Sequence, residues 1–441
     1  MHSHKEPEAL ATGRNAMTTA DAKPTAARKW TIVILLSLGM LLAYIDRTNL
    51  SVALAVGDFK RLFHLTDVDR GVLNSAFFWS YALLQIPAGW VVDRYGSKFP
   101  YAIGFLFWSL ISAATGLIQN VGQLFSMRLL VGVGESVTTS ASLRWIRFNC
   151  EEKERGLATG ILFAGTKFGA AAGVPLAAFL ISRWNWRAMF VILGLGGLIW
   201  LVFWLALVKK DFVKKEKVEK FKSASATQRS SEDFLFWMKT PVMWGIILGT
   251  FAYNYFIYYC LTWLPAYFVE SKHLSLNSMS LYTMFSFGGM AVVGIGAGWL
   301  ADRMIAAGKN AINVRKAFTL LGFLLASTEI IGAVSPSQSW SLFFALFSLS
   351  GLGLATANYW ALTQTLVPKS IIGRLVGVQN FASNCSGIVA PLVTGWLKEA
   401  TGHYQAPMAA VLVILLIGLV AYGVMVKPLP RYITAKSDVI S

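Results

Sequence analysis

Charged side chains occur inside segments of this chain that are otherwise apolar. The first such segment contains Asp46 and Arg47, and a later one contains Arg128 and Glu135. An ionisable group inside a lipid bilayer costs about 2.5–3.5 kcal/mol or more, so each of these needs a function or a partner. The interior cations outnumber the interior anions: they are Arg47, Arg128, Arg144 and Lys167, against Asp46 and Glu135. This excess predicts a cavity that attracts an anion.

The interior carboxylates are candidates for proton transfer, because loss of hydration favours the neutral form of a carboxyl group. They are Asp46 and Glu135. Arg128 and Glu135 are two helical turns apart, which places both on one face of a helix, about 10 Å apart. Asp46 and Arg47 are adjacent and point about 100° apart on a helix, so they cannot form a simple pair with each other. Fixed ion pairs that hold helices together are the alternative interpretation of these charges.

Neutral polar side chains mark the second half of the chain, where we identify no comparable interior charge. Asn254, Gln364 and Asn384 lie in three different apolar segments. Amide groups can bind the hydroxyls of a polyol, and an amide in lipid needs a partner. The sequence therefore predicts that these residues contact a hydroxylated substrate, with helix–helix hydrogen bonding as the alternative.

Membrane-spanning helices are the elements that must position these groups. Hydrophobic residues make up 55% of the 441-residue chain and charged residues 14%. A stretch of about 20 apolar residues spans a bilayer as a helix, and backbone groups in lipid must be satisfied within the segment. We expect twelve such helices, near 30–56, 69–92, 99–118, 121–146, 155–181, 187–208, 240–268, 278–302, 316–334, 338–367, 371–400 and 404–426.

A six-residue motif recurs once, in equivalent positions of the two halves. Gly-Trp-Val-Val-Asp-Arg at 89–94 is repeated as Gly-Trp-Leu-Ala-Asp-Arg at 298–303. An internal repeat of this kind is typical of two-lobed carriers. The predicted fold class is an all-α membrane protein with twelve transmembrane helices in two pseudo-symmetric bundles of six. We expect the motif's charged residues to form a cytoplasmic gate with a salt bridge between the lobes: Asp93, Arg94, Asp302 and Arg303.

The distribution of basic residues predicts the orientation. The net charge is +17, and most Lys and Arg residues fall in loops on one side of the predicted membrane. This is the positive-inside pattern, so we expect cytoplasmic N- and C-termini in a multi-pass protein of the plasma membrane, a bacterial inner membrane. The excess charge then serves orientation, with the lipid bilayer as its partner and no nucleic acid.

The remaining segments define the predicted boundaries. A disordered cytoplasmic tail, 1–28, precedes a six-helix bundle, 29–208; a basic linker, 209–238, precedes the second bundle, 239–427, and a tail, 428–441. Met1 and Met17 are both possible starts. Three cysteines indicate no disulfide framework, and no residue spacing indicates a metal, a cofactor or a catalytic residue. We therefore expect a transporter, not an enzyme, acting as a monomer.

The loop Gly89-x-x-x-Asp93-Arg94-x-Gly96-x-Lys98 resembles the signature loop of the major facilitator superfamily. Other segments resemble its anion:cation symporter branch, which includes bacterial galactonate, glucarate and hexuronate carriers and the animal sialin and vesicular glutamate carriers. These segments are Tyr44-Ile-Asp46-Arg47-Thr-Asn-Leu-Ser, Gln85-Ile-Pro-Ala-Gly-Trp, Arg128 with Glu135, Glu154-Arg155-Gly-Leu-Ala-Thr-Gly, Leu261-Thr-Trp-Leu-Pro and Gln379-Asn-Phe-Ala-Ser-Asn384 with the seven residues that follow.

The resemblance implies a role for individual residues. Arg47 would bind the substrate carboxylate with help from Tyr44 and Tyr81, and Asn384 would bind substrate from the second lobe. Asp46 and Glu135 would take part in proton coupling, with Arg128 tuning Glu135. The resemblance also implies a proton-coupled symporter.

The expected function is therefore proton-coupled uptake of a small organic anion, with a sugar acid (a hexonate, hexarate or hexuronate) as the leading substrate. Tyr81, Trp79 and Trp360 are aromatic residues that we place near the cavity, which leaves an aromatic acid as an alternative. A dicarboxylic acid is a further alternative. Export of a drug or metabolite by the same fold is another.

Overall fold

The computed structural model describes residues 26–209, 234–367 and 372–428, and these residues are helical almost throughout. The predicted linker and both predicted tails lie mostly outside the described residues. The helices of the first half are α1 (Ala26–Ala55), α2 (Gly57–Leu62), α3 (Asp67–Tyr95), α4 (Lys98–Ala114), α5 (Val121–Glu135), α6 (Val137–Asn149), α7 (Glu152–Arg183), α8 (Trp186–Gly196) and α9 (Leu198–Leu207).

The second half repeats this arrangement. Its helices are α10 (Pro241–Ala266), α11 (Leu276–Ala306), α12 (Ala311–Ala326), α13 (Glu329–Val334), α14 (Gln338–Leu366), α15 (Ile372–Thr401) and α16 (Gln405–Val420). Short π-helical segments follow α10 and α16, at Tyr267–Ser271 and Ala421–Met425, and a 3₁₀ turn, Thr115–Leu117, follows α4.

Several predicted spans consist of two consecutive helices. The predicted fourth span is α5 followed by α6, with the break at Ser136, and the sixth is α8 followed by α9, with the break at Gly197. The ninth is α12 followed by α13. By length and hydropathy, eight helical segments of the described residues are able to cross a membrane.

The helices form two lobes, α1–α9 and α10–α16. The lobes meet where α3 packs against α15 and α7 packs against α11, and α1 also touches α10. Both termini of the described chain, together with the two Gly-Trp-x-x-Asp-Arg motifs, lie at one end of the lobes. We call this the termini end and the opposite end the distal end. This antiparallel path follows from the short connections between successive helices.

Small residues allow α1 and α7 to pack closely. A Cβ atom on Gly165 would lie 2.1 Å from the carbonyl oxygen of Ser37, and one on Gly169 would lie 2.4 Å from that of Leu41. Such distances leave no room for a side chain. The close contact fixes the position of the distal half of α1, which carries Asp46 and Arg47.

Candidate functional site

A buried ion pair joins Arg47 of α1 to Glu135 at the end of α5. Both Nε and Nη2 of Arg47 lie 2.8 Å from Oε2 of Glu135. The two residues are 8% and 0% exposed. The other carboxylate oxygen, Oε1, has no hydrogen-bond partner among the described residues. A guanidinium with only one carboxylate oxygen bound keeps donors for a second anion.

Aromatic rings surround the Arg47 guanidinium. Its central carbon lies 4.6 Å from the ring centres of Tyr44 and Phe77 and 4.8 Å from that of Tyr81. The structure thus brings Tyr44 and Tyr81 to Arg47, the residue with which the resemblance grouped them. Ring faces attract the cation, and they also exclude water, which strengthens the ion pair with Glu135.

Asp46 faces a different helix from its neighbour Arg47. Its Oδ1 accepts hydrogen bonds from Ser112 of α4 at 2.9 Å and from Asn49 at 3.3 Å. The residue is 6% exposed. The divergence of the two adjacent side chains confirms the argument from helical geometry. Asp46 is therefore a second buried carboxylate that has neutral hydrogen-bond donors.

Arg128 and Lys167 take no part in the ion pair. Arg128 is 5% exposed, lies 5.6 Å from the ring centre of Phe77 and has no partner for Nε among the described residues. Lys167 is partly buried in α7, and no ion pair joins it to this group within the described chain.

The second lobe approaches the Arg47 group through Tyr258 of α10. Tyr258 is 6% exposed and packs edge-on against Phe78 of α3, with ring centres 4.5 Å apart. By contrast, Trp79 contacts Phe125 and is 38% exposed, so it is not one of the rings around Arg47. Trp360 packs on Tyr359 of the second lobe.

The predicted amides of the second lobe occupy three different surroundings. Asn254 is 9% exposed and donates to the carbonyl of Thr250 at 2.9 Å, and Asn384 is 5% exposed and donates to that of Asn380 at 3.0 Å. Both amides therefore donate to their own helices. Gln364 is exposed near the end of α14 and is not gathered with the other two.

The Gly-Trp-x-x-Asp-Arg motifs have equivalent geometry in the two lobes. Arg94 lies 5.3 Å from the ring centre of Trp90, and Arg303 lies 5.3 Å from that of Trp299. The aspartates, however, do not bridge the lobes as we expected. Asp93 pairs with Arg144 of α6 at 3.1 Å, and Asp302 pairs with Arg315 of α12 at 2.9 Å. Each pair ties two helices of one lobe, and this also removes Arg144 from the central group.

Glu329 contradicts the expectation that the second half has no comparable interior charge. It begins α13, is 3% exposed and accepts a hydrogen bond from Ser348. The sequence placed it inside the span 316–334, which consists of two helices with a break immediately before Glu329. One acidic residue within an apolar segment was the sequence signal that could have indicated this buried charge.

A fold of two helical lobes with buried charges between its helices defines a membrane transporter. The family model of the Major Facilitator Superfamily matches residues 36–391, and the chain belongs to that family. The membership confirms the predicted fold class, twelve transmembrane helices in two bundles, and it confirms that the protein is a transporter and not an enzyme.

Known relatives match along nearly the whole chain. The chain is 28% identical to the D-galactonate transporter of Escherichia coli O6:H1, over 93% of this chain and 98% of the relative. It is 28% identical to the hexuronate transporter of Bacillus subtilis, over 86% and 90% of the two chains. A crystal structure of a bacterial homologue of the human lysosomal transporter Spinster, inward-facing and occupied, superposes with a TM-score of 0.77 at 17% identity, over 92% and 99% of the chains.

Proposed function

We propose that this protein takes up a small organic anion together with protons, and that the anion is a sugar acid. The observation that carries the proposal is the buried Arg47–Glu135 pair within a group of aromatic rings. The relatives that transport galactonate and hexuronate support the class of substrate. The cavity would open alternately to the two sides of the membrane as the lobes rock.

Competition between Glu135 and the substrate for Arg47 would couple the two fluxes. While Glu135 is ionised, it occupies the guanidinium and leaves fewer donors for a carboxylate. A proton on Glu135 removes its charge and weakens its hold on Arg47, so a substrate carboxylate can take the bidentate position. Release of the proton on the other side would restore the internal pair and expel the substrate.

The charge balance of the buried group is consistent with this order of events. The formal charges of the group add up to zero when all four members are ionised: Asp46, Arg47, Arg128 and Glu135. One proton leaves a net charge of +1, which a monocarboxylate neutralises. A second proton, on Asp46, would leave room for a dianion. Neutrality matters here because an uncompensated charge in a low-dielectric site costs several kcal/mol.

The remaining predicted residues would recognise the rest of the substrate. Asn254 and Asn384 would bind substrate hydroxyls through their carboxamide groups, and we retain Lys167 and Gln364 as candidates for the same cavity in another conformation. An analogue that lacks one hydroxyl would leave a buried amide unpaired, which makes such contacts selective.

An aromatic acid is the second candidate substrate. The rings of Tyr44, Phe77 and Tyr81 around Arg47 favour it, because an aromatic carboxylate would bind the cation and stack on these rings at the same time. Export of a drug or metabolite uses the same fold and would be seen as transport in the opposite direction.

Reconstituted vesicles with a more acidic exterior test the proposal. Accumulation of a labelled hexonate, hexarate or hexuronate, abolished by collapse of the pH gradient, supports it. In competition, the parent acid should displace the label better than its deoxy analogue. If benzoate or phthalate competes better than every sugar acid, the substrate is an aromatic acid. The sugar-acid assignment is then wrong, whereas the proposed proton coupling is unaffected. Accumulation that ignores the gradient contradicts the proton coupling.

We further propose the plasma membrane as the location, with the termini end on the cytoplasmic side and the lobes divided at the 209–238 linker. The concentration of basic residues at that end supports this orientation.

A further inference from the structure

Four charged side chains form a closed ring where the two lobes meet at the distal end. Arg70 of α3 bonds to Glu270, which follows α10, at 2.8 Å, and Lys398 of α15 bonds to Asp67 of α3 at 2.7 Å. These two contacts cross between the lobes. Within the lobes, Arg70 bonds to Asp67 at 2.7 Å and Lys398 bonds to Glu270 at 3.0 Å. Each charge therefore has one partner in its own lobe and one in the other.

The ring is largely buried. Arg70 is 1% exposed and its guanidinium lies 4.7 Å from the ring centre of Trp263, a residue of the other lobe. Tyr404 donates to Glu270 at 2.8 Å. The charges are thus shielded from solvent on several sides, so they interact more strongly than an exposed pair would.

The backbones of the two lobes touch beside the ring. A Cβ atom on Gly71 of α3 would lie 2.6 Å from the carbonyl oxygen of Pro391, and one on Gly395 of α15 would lie 2.4 Å from that of Asp67. In addition, the backbone N–H of Val68 donates to Glu399 at 3.0 Å. The distal end is therefore closed in this conformation.

The two carboxylates of the ring lie outside the predicted membrane spans and are held in their ionised forms. Burial alone would raise the pKa of Asp67, but the hydrogen bond from Lys398 and the charge of Arg70 outweigh it and leave that pKa below its ordinary value. Burial is likewise outweighed at Glu270, where the charges of Arg70 and Lys398 lower the pKa.

We propose that this ring is a latch that closes the distal end through its two interlobe bonds and keeps every charge paired when the lobes separate. When the lobes separate, Arg70 keeps Asp67 and Lys398 keeps Glu270, so no charge is left alone. When the lobes meet, two further bonds form between them. A latch that loses only its interlobe bonds keeps every charge paired as it opens, whereas a simple interlobe pair would leave both of its charges without a partner. The inference rests on transport by moving lobes and is independent of the substrate.

The distance between the lobes at the distal end tests the latch. Ser182 at the end of α7 and Asn277 at the start of α11 are exposed and belong to different lobes. Both would be changed to Cys and spin-labelled in a chain whose natural cysteines, Cys150, Cys260 and Cys385, are Ser. Distances would be measured by pulsed electron resonance without substrate.

Glu270→Gln removes one interlobe bond and should raise the ratio of open to closed distal ends about tenfold. Lys398→Gln removes the other and should act in the same direction, which keeps the test valid if one variant fails to fold. Asp58→Asn is the matched control, because Asp58 pairs with Arg61 inside α2 and both side chains are 80% exposed. Unchanged distances in both ring variants, or an equal change in the control, would overturn the proposal.

A charge exchange tests whether complementary charges on the two lobes close the distal end. In the double variant Arg70→Glu with Glu270→Arg, both interlobe pairs keep opposite charges, but both pairs within the lobes become like-charged. The latch then predicts a distal end at least as closed as in the original protein. A distance distribution as open as that of Glu270→Gln would contradict it. Because no substrate is present, a wrong assignment of the transported anion cannot produce either result.

Discussion

At the scale of single residues, the proposed chemistry depends on how Glu135 holds Arg47. One carboxylate oxygen accepts both hydrogen bonds, and the other has no partner among the described residues. The pair is fully enclosed, so removal of one partner would leave a buried charge, which costs about 3–5 kcal/mol. Only a change of protonation or the arrival of another anion can exchange the partners at a lower cost.

Arg47→Lys should abolish most uptake although the protein still inserts into the membrane. Lys keeps the positive charge but cannot form the planar, bidentate contact with a carboxylate. We expect uptake efficiency to fall at least about tenfold. Radiolabelled uptake in vesicles measures this, with Arg61→Lys on exposed α2 as the control. Near-normal substrate affinity in Arg47→Lys would remove Arg47 from the binding site.

The sequence identified these residues because a charge inside an apolar segment is costly and therefore conspicuous. It did not identify the pairing. Helical spacing joined Glu135 to Arg128, whereas the structure joins it to Arg47 on a helix that is distant in the sequence. A contact of this kind depends on how helices pack, and local periodicity contains no information about it. The burial of Glu329 was not predicted, because Glu329 lies at a helix break that hydropathy cannot resolve.

At the scale of helices, the packing of α1 on α7 holds Asp46 and Arg47 in place. Gly165 and Gly169 of α7 lie four residues apart, and both face carbonyl groups of α1. Small residues of this kind allow backbones to approach within a membrane. The close contact makes the position of Arg47 sensitive to changes on a different helix.

Gly169→Ala should therefore destabilise the protein. Its Cβ would lie 2.4 Å from the Leu41 carbonyl oxygen, and backbone cannot move aside easily. Overpacking of this kind costs about 1–3 kcal/mol. Thermal unfolding of the solubilised protein would measure the loss. Gly160→Ala in the same helix is the control, because nothing lies within 4 Å of its Cβ position. Equal melting temperatures for the two variants would show that α1 and α7 do not need the close contact.

The predicted helices were accurate in number and approximate extent, and the errors concern their ends. Charges at the ends of membrane spans are ordinarily close to water, so their presence there does not indicate a partner. The ring of Asp67, Arg70, Glu270 and Lys398 was missed for that reason. Likewise, the motif aspartates were expected to join the lobes, but each binds an arginine of its own lobe. Sequence repeats indicate equivalent positions, but they do not indicate which neighbours those positions contact.

At the scale of the whole molecule, the lobes are in contact at the distal end, and the ring of four charges lies there. Asp93 and Asp302 at the termini end have side chains that are 75% and 68% exposed. The conformation is thus closed on one side, and the buried Arg47–Glu135 pair lies between the two ends. A transport cycle requires the distal contacts to break while the Arg47 group changes partners.

The distal end should open only when the pH falls below the ordinary carboxyl range. In the closed conformation the pKa values of Asp67 and Glu270 are lower than their ordinary values. Closure is therefore favoured above the ordinary carboxyl pKa, about 4, and is lost as the pH falls through the lowered pKa values. The charged and titratable neighbours are Lys60, Arg70, Lys398, Glu399 and Tyr404. The distance between labels at Ser182 and Asn277 should therefore stay constant between about pH 5 and pH 8. Opening near neutral pH would show that other groups control the latch.

The most direct test of the central claim is gradient-driven accumulation by Glu135→Gln. Gln mimics the protonated carboxyl group and cannot release a proton, so the variant should bind substrate and exchange it across the membrane but should not concentrate it. Vesicles with an imposed pH gradient would compare accumulation with counterflow exchange, with the original protein as reference and Asp46→Asn in parallel. We predict exchange without accumulation in Glu135→Gln. A variant that still concentrates substrate against its gradient would contradict the account, because the coupled proton would then be carried by a residue other than Glu135.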